Sequence, residues 1–206
     1  GGGRQKIPYE PSAQWGLSGY HFAHALNFNY SYEIPLGQGL GGLAGILLSG
    51  WRTSGVVNMR TGQPQNPTQS ISNPQRDLAV NPRSPNVNPN FHGEVVLSGG
   101  RDPNAYINLD AYLPSGTFEF GNLGRNTLIG PGSMTWNPAI AKRSSLTESV
   151  SLEFRTEFFN VLNRANFGPP ANNLFNASGA KVGNAGTINS TSNTSRQVQF
   201  ALKLLW

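Results

Sequence analysis

Large apolar residues alternate with polar or small ones along the last part of the chain, residues 196–206. A repeat of two residues is typical of a β-strand with one apolar and one polar face. A strand of about ten residues with two such faces is long enough to cross a membrane as part of a barrel. An edge strand of a soluble β-sandwich has the same pattern, so these residues alone leave both interpretations open. The apolar positions are Val198, Phe200, Leu202, Leu204 and Trp206.

The same alternation predicts four further strands, at residues 19–34, 49–61, 133–142 and 149–159. Within the last of these, Phe154 and Phe158 also fit the 3.6-residue spacing of a helix. The alternation is unbroken up to residue 159, which favours a strand that ends in a turn at residues 160–163. Pro138 has no backbone N–H, so the strand that contains it is predicted to be an edge strand or to be interrupted by a bulge.

The alternation assigns each strand residue to one of two faces. In a barrel, the polar face borders a hydrated lumen and the apolar face borders lipid. The predicted lumen-facing residues are Arg52, Asn58, Arg60, Glu153, Arg155, Glu157, Gln197, Gln199 and Lys203. The predicted lipid-facing residues are Leu26, Phe28, Tyr30, Tyr32, Trp51, Val57, Leu152, Phe154 and Phe158.

The connections between the predicted strands alternate between short and long. Residues 35–48 and 143–149 form the short ones, whereas 62–131 and 163–195 are long and rich in Asn, Gly and Pro or Ser. Outer-membrane barrels combine short periplasmic turns with long extracellular loops. If Trp206 lies at the periplasmic end, both short turns are periplasmic and both long loops are extracellular. Loops of this length usually carry function or are disordered. Short strands or turns are possible at 105–113 and 117–120.

The composition favours the same interpretation. Of 206 residues, 25 are Gly and 15 are Pro, while only 37% are hydrophobic and 12% charged. Such a chain has long irregular loops or a surface that faces a solvent other than water. No apolar run approaches the roughly 18 residues of a membrane helix, which excludes a helical membrane protein. The first residues, GGGRQKIPYEPS, contain no apolar signal segment. We expect either a cytosolic protein or a chain that does not begin where its gene begins, and the glycine-rich start favours the second.

Charge and motifs give no sign of nucleic-acid binding, a cofactor or a metal. The net charge of +5 comes from scattered residues without basic runs, and the chain has no cysteine. Gly37, Gly39 and Gly42 match the G-x-G-x-x-G pattern, but a dinucleotide site needs a helix that begins at the last glycine and an acidic residue about 20 positions later. The next acidic residue is Asp77, and the residues after Gly42 are predicted to enter a strand, so the glycines are interpreted as turn residues.

No catalytic residues are predicted either. Glu153 and Glu157 lie about 13 Å apart along a strand, too far for the carboxylate pair of a glycosidase, which favours a salt-bridge ladder with Arg155. The three histidines, at positions 21, 24 and 92, do not have the spacing of a known metal motif. No nucleophile motif of the G-x-S-x-G type and no phosphate-binding loop are present in the sequence.

Four segments, taken in order, resemble the C-terminal part of TonB-dependent outer-membrane receptors: GWRTSGVVNMRTGQP, FGNLGRNTLIGPG, SLEFRTEFFNVLNRANFG and RQVQFALKLLW. The similarity covers roughly residues 19–206 and is greatest to the Oar-like subgroup, whose N-termini carry a carboxypeptidase-regulatory-like domain. The resemblance implies an all-β fold: about five C-terminal strands of an antiparallel transmembrane β-barrel, which form an open curved sheet in isolation. Residues 1–206 then form one C-terminal barrel fragment without its plug domain. Pro138 departs from the family, which has an aliphatic residue there.

The resemblance also implies a location and partners. The location is the bacterial outer membrane, and the function is active uptake of a scarce nutrient, an unidentified small ligand. The partners are outer-membrane lipid, TonB acting through a missing N-terminal part, and the barrel-insertion machinery. That machinery reads the last strand, where Val198, Phe200, Leu202, Leu204 and Trp206 form the assembly signal. The alternative is a secreted β-sandwich adhesin or carbohydrate-binding module, which would pack two apolar faces together.

Overall fold

The computed structural model describes residues 15–71, 84–117 and 119–206, and they form two compact units. The sheet unit consists of His24–Arg60, Ser133–Asn166 and Ser192–Trp206. The loop unit consists of the described parts of residues 15–23, 61–132 and 167–191. The predictions for residues 1–14, for 72–83 with Asp77, and for position 118 lie outside the described residues.

The secondary structure is mostly β. In chain order the elements are β1 (Ala25–Ile34), α1 (Gly42–Leu48), β2 (Trp51–Arg60), β3 (Pro64–Gln65), β4 (Thr68–Gln69), β5 (Asn86–Val87), two 3₁₀ helices (Leu97–Gly100 and Leu109–Ala111), β6 (Tyr112–Leu113), β7 (Leu128–Ile129), β8 (Ser133–Ser145), β9 (Ser151–Phe159), β10 (Asn173–Phe175) and β11 (Gln197–Leu205).

The sheet unit is built on one five-stranded antiparallel sheet with the order β1-β2-β8-β9-β11. Each strand has the two-residue alternation that a pleated sheet with two different faces requires. The predicted fold class, an antiparallel sheet of about five strands, is confirmed. All strands of this unit belong to the single sheet, so it has no second sheet with which to form the sandwich of the alternative hypothesis.

The strand bounds differ from the sequence-based ones by at most two residues, except at two places. Strand β1 begins at Ala25 instead of residue 19, and β8 continues to Ser145 instead of ending at residue 142. The prediction of an edge strand at Pro138 is wrong, because β8 is the central strand and pairs with β2 in continuous register through Gly55 and Pro138. The predicted interruption is present only on the β9 side. The ladder to β9 ends at Ala139, so the missing N–H of Pro138 coincides with the end of that ladder.

The short connection between β1 and β2 contains a helix, α1, where the sequence was interpreted as a glycine turn that runs into a strand. That interpretation is wrong: a helix does begin at Gly42. Leu and Ala residues have high helix propensity and make up four of the seven residues of the helix, which also contains Gly42 and Gly45. The dinucleotide site still lacks its framework, because α1 links two antiparallel neighbours and not the parallel strands of a βαβ unit.

The two ends of the sheet differ in their connections. The β1–β2 and β8–β9 connections leave from the same end, since Trp51 pairs with both Ile34 and Lys142 and since Ser145 pairs with Ser151. Strand β11 also finishes there, with Leu205 opposite Ser151. We call this the short-connection end. The long connections, residues 61–132 and 160–196, leave from the opposite end.

The loop unit has its own hydrophobic core, although its residues were predicted to be long loops. Three two-stranded ladders, β3–β7, β4–β10 and β5–β6, hold its segments together. The ladder β5–β6 contains the end of the stretch 105–113, whereas the described residues of 117–120 form no strand. The core is formed by Tyr106, Ile107, Ala111, Tyr112, Leu123, Leu128, Leu174, Phe175, Ala185 and Ile188.

Candidate functional site

The sheet register gathers the predicted face residues into two sets. Directly paired residues on antiparallel neighbours project to the same side of a sheet. By this rule one side, the polar face, holds all nine residues predicted to face the lumen. These are Arg52, Asn58, Arg60, Glu153, Arg155, Glu157, Gln197, Gln199 and Lys203. The other side, the apolar face, holds Leu26, Phe28, Tyr30, Tyr32, Trp51, Val57, Leu152, Phe154 and Phe158.

The charges of the polar face are arranged across neighbouring strands. Glu33 pairs with Arg52 in the register, and Arg155 lies in the same row on the far side of Ala141. The Nη2 atom of Arg155 is 2.7 Å from Oε1 of Glu157. Both side chains are partly exposed, so this ion pair adds little stability. The Nε atom of Arg155 is buried and has no hydrogen-bond acceptor among the described residues, which leaves one donor that the protein does not use.

A second charged row lies closer to the short-connection end. There Glu153 is flanked by Arg143 on β8 and Lys203 on β11. Arg143 also donates a hydrogen bond from Nε to the Ser151 hydroxyl oxygen, over 3.1 Å. The sequence-based strand ended before Arg143 and therefore missed its place in this row. Beside the row lies a cleft of about 270 Å³ whose charged lining residues are Glu33, Arg52, Arg143 and Glu153.

The apolar face is exposed along most of its length. On β11, Phe200 is 67% exposed and Leu202 is 69% exposed, and on β1 Phe28 is 54% exposed. Two pairs of rings stack on this face: Phe154 with Phe200, with centroids 6.2 Å apart, and Phe28 with Tyr30, with centroids 5.9 Å apart. A continuous exposed apolar surface of this kind marks an interaction site for lipid or protein.

The residues proposed as the assembly signal divide into two groups. Val198, Phe200, Leu202 and Leu204 lie on the apolar face of β11, an edge strand of the sheet. Trp206 follows the end of β11 and is 91% exposed. The five residues therefore comprise four strand positions on one face and an aromatic residue beyond the paired region.

Lys142 is the exception on the apolar face, and it is not among the residues assigned to either face from the sequence. The register places Lys142 between Trp51 on β2 and Phe154 on β9. All other charged residues of the five strands lie on the polar face. The Nζ atom of Lys142 lies 5.2 Å from the centre of the Trp51 ring and donates to the carbonyl oxygens of Ile46 and Ser49, each over 2.7 Å. The sequence could have indicated this residue, because a lysine interrupts the apolar positions of the strand.

The loop unit contains buried polar contacts in addition to its apolar core. Gln69 is 2% exposed, accepts a hydrogen bond from the Ser115 backbone N–H and donates one to the Ser115 hydroxyl. Tyr106 donates from its hydroxyl to the carbonyl oxygen of Ile129 over 2.9 Å. Burial raises the pKa of Tyr106 and that of Tyr112 to about 12. Ordered loops on a fixed scaffold are common sites of ligand binding.

This structure gives positions for the histidines and for the two glutamates that were considered as catalytic or metal-binding residues. The described residues contain no group of three or more His, Asp or Glu side chains that could hold a metal ion. Glu157 is paired with Arg155, as the salt-bridge interpretation predicted, and Glu153 is flanked by basic neighbours. His21 and His24 both precede β1 and do not lie on a strand. Among the described residues, no helix is long and apolar enough to span a membrane.

Comparison with known proteins gives one match. A family model described as "outer membrane beta barrel domain" matches residues 1–199. The matched range includes the whole of β1, β2, β8 and β9, together with the first residues of β11. No curated protein and no solved structure matches the chain. The match therefore extends over almost the entire chain, including the residues of both units.

Proposed function

Because this chain belongs to the family of outer membrane β-barrel domains, and so to the bacterial outer membrane, we propose that it forms part of the barrel of a TonB-dependent transporter. In this proposal the protein takes up a scarce nutrient and performs no catalysis. The polar face of the sheet borders the lumen and the apolar face borders lipid. TonB acts through a plug domain elsewhere in the protein, and the ligand is a small molecule.

This proposal rests mainly on one observation: the charged side chains of the sheet lie on one face, and the exposed apolar side chains lie on the other. The polar face carries both acidic and basic side chains in adjacent rows, while the apolar face exposes Phe28, Phe154 and Phe200. In water the apolar face would have no partner to cover it. In a bilayer it meets hydrocarbon, and the charged face meets a hydrated lumen. A lumen lined by such charges suits a barrel that holds a mobile plug or passes a polar solute.

The loop unit supports the receptor part of the proposal. The chain enters it from the end of the sheet opposite to the short connections, which is the extracellular end in barrels of this kind. Its buried core fixes segments that carry many Asn, Ser and Thr side chains. Amide and hydroxyl groups of this kind bind polar ligands by hydrogen bonds. Iron chelates, oligosaccharides and peptides are the ligand classes that we expect.

Strand β11 supports a role for the barrel-insertion machinery as a partner. Its outer edge has no neighbouring strand among the described residues, and its apolar side chains are exposed. An unpaired edge can add a further strand by backbone hydrogen bonding. We propose that the insertion machinery recognises this edge together with the apolar residues of β11 and Trp206.

The proposal is tested by measuring uptake in cells that lack the protein. Radiolabelled ferric chelates, oligosaccharides and short peptides are supplied at limiting concentration, with and without a protonophore. We expect uptake of one class to fall on deletion, to return on complementation, and to be abolished by the protonophore, because TonB uses the proton gradient of the inner membrane. Restored uptake that the protonophore leaves unchanged would instead indicate a passive channel and contradict the proposal.

A further inference from the structure

The connection between β1 and β2 exposes a second apolar surface. Residues 35–50 contain no Asp, Glu, Lys, Arg or His. All six of their large apolar side chains are exposed, from 46% for Leu48 to 78% for Leu43. A short connection that faced water would not ordinarily combine so many exposed apolar residues with no charge. The six residues, which we call the α1 patch, are Leu36, Leu40, Leu43, Ile46, Leu47 and Leu48.

Three of the last four carbonyl groups of α1 accept hydrogen bonds from the protein itself. The carbonyl oxygens of a last helical turn have no partner within the helix and usually bind water. Here Gly45 accepts from the backbone N–H and the hydroxyl of Ser49, over 3.0 and 2.6 Å. Leu47 accepts from Nε1 of Trp51 over 3.0 Å, and Ile46 accepts from Nζ of Lys142. This end of the helix can therefore lie in a poorly hydrated environment.

The two side chains that hold the helix are typical of a membrane surface. Trp51 and Lys142 are paired neighbours on the apolar face, at the short-connection end. Tryptophan is enriched where a protein crosses the boundary between lipid and water, and lysine extends its ammonium group toward that boundary. The ammonium group of Lys142 is also directed to two carbonyl oxygens, which lowers the cost of a charge on this face.

The N-terminal end of α1 limits how deeply the helix can lie in a membrane. Its N-cap residue, Gly41, makes no side-chain hydrogen bond to the helix. The first N–H groups of a helix then depend on water or another external acceptor, which hydrocarbon does not provide. A helix whose last carbonyl groups are mostly bonded by the protein and whose first N–H groups have no side-chain cap suits the layer of lipid headgroups, where both acyl chains and hydrogen-bond acceptors are present.

We propose that the α1 patch is a lipid-binding surface that lies in the headgroup layer of the phospholipid leaflet at the short-connection end. The patch adjoins the end of the apolar face through Trp51 and Lys142, so the two apolar surfaces are continuous there. Its own segment carries no charge, and the basic side chains beside it are Lys142 and Arg143, which lines a cleft with Leu40 and Ile46. Basic groups next to an apolar surface suit the phosphate groups of lipid headgroups, which favours lipid as the occupant. The inference rests on the proposed lipid contact of the apolar face, so the experiment includes a separate check of that face.

Single-cysteine variants provide the test, since the chain has no cysteine of its own. Leu47→Cys reports on the patch, and Glu148→Cys is the matched control in the β8–β9 connection at the same end of the sheet. Phe28→Cys reports on the apolar face. Each variant carries an environment-sensitive fluorophore in the membrane-inserted protein. The bilayers contain phospholipids that bear a quencher either near the headgroup or at the end of the acyl chain, and iodide is the quencher from water.

We expect the headgroup-level quencher to act on Leu47→Cys at least about twofold more strongly than on Glu148→Cys, and more strongly than the deep quencher does. Phe28→Cys should respond to lipid quenchers at either depth. Quenching of Leu47→Cys by iodide alone would mean that the patch faces water and would overturn the proposal. Protection from both iodide and lipid would mean that a protein covers the patch, which would also overturn it. If Phe28→Cys is not quenched by lipid, the proposed contact of the apolar face with lipid is wrong as well.

Discussion

Tyr30 on β1 covers Gly55, its register partner on β2. A Cβ atom added to Gly55 would lie 2.6 Å from the Tyr30 hydroxyl oxygen and 2.7 Å from Cζ of the ring. The Tyr30 hydroxyl in turn accepts a hydrogen bond from Nε1 of Trp136 on β8 over 3.2 Å. The ring therefore spans three strands. Glycine weakens a strand interior, and an aromatic ring laid over it compensates for the missing side chain.

This contact predicts a coupled effect of two substitutions. Gly55→Ala forces the Tyr30 ring away and should lower the free energy of unfolding by about 1–3 kcal/mol. The same change in a Tyr30→Leu background should cost less, with a coupling of about 0.5–3 kcal/mol. Urea unfolding of the four proteins in bilayers, followed by tryptophan fluorescence, measures both values. Additive effects would mean that the ring does not rest on Gly55.

The core of the loop unit predicts a local effect of substitution. Leu174 is 0% exposed, so Leu174→Ala should destabilise the unit by about 2–5 kcal/mol. We expect protease to cleave within residues 61–132 and 167–191 while the strands of the sheet stay protected. Leu113→Ala is the control, because that side chain belongs to the same unit and is 43% exposed. Equal cleavage of the two variants would contradict a packed core around Leu174.

The buried tyrosines predict a loss of stability at alkaline pH. The pKa of Tyr106 and of Tyr112 is about 12 in the folded protein, against 10.0 for an unperturbed tyrosine. Between these values the unfolded state releases protons that the folded state keeps, so the stability that depends on these two tyrosines should be fully present below about pH 10 and be lost progressively from there to about pH 12. Protease sensitivity of the unit as a function of pH measures this.

A variant separates this linkage from general alkaline damage. Tyr106→Phe removes one of the two ionising groups, and we expect the fall in stability with pH to become about half as steep. The variant should also be less stable at neutral pH by about 1 kcal/mol, because the Ile129 carbonyl loses its donor. An unchanged slope between pH 10 and 12 would show that Tyr106 does not contribute to the linkage.

Substitution of Lys142 is predicted to loosen the helix α1. In Lys142→Met the side chain keeps its length but loses its three donors, so the carbonyls of Ile46 and Ser49 lose a partner. We expect amide hydrogen exchange in residues 42–50 to become faster, while exchange in β8 changes little. Lys142→Arg should preserve most of the protection, since it retains donors and charge. Unchanged exchange in Lys142→Met would contradict the role of the ammonium group.

The sheet was largely predictable because its signal is local. Alternation along a single strand sets which side each residue occupies, so Phe154 and Arg155 could be assigned to opposite faces without any knowledge of their neighbours. The central position of Pro138 could not be predicted, because strand order depends on which strands meet in space. A missing N–H is tolerated there since the ladder to β9 stops at the next residue.

The loop unit and α1 were missed because their determinants are not local. The loop-unit core joins Tyr106 and Leu128 to Leu174 and Phe175, and the residues between them follow no period. The helix α1 is shorter than an isolated helix that is stable in water, and donors from Trp51 and Lys142 support it. Within the candidate site, the two faces were thus predictable, and Lys142 could be recognised as a lysine among apolar positions, whereas the patch could not be predicted.

In the proposed membrane arrangement, the apolar face of the sheet contacts hydrocarbon and the polar face does not. The most direct measurement is quenching by a lipid-phase quencher of a fluorophore placed at Phe28, Phe154 or Phe200, and at Asn29, Arg155 or Lys203, in the membrane-inserted protein. We predict strong quenching at the three phenylalanine positions and little at the other three, because neighbouring strand residues lie on opposite faces. Equal protection of all six positions from lipid would contradict the account.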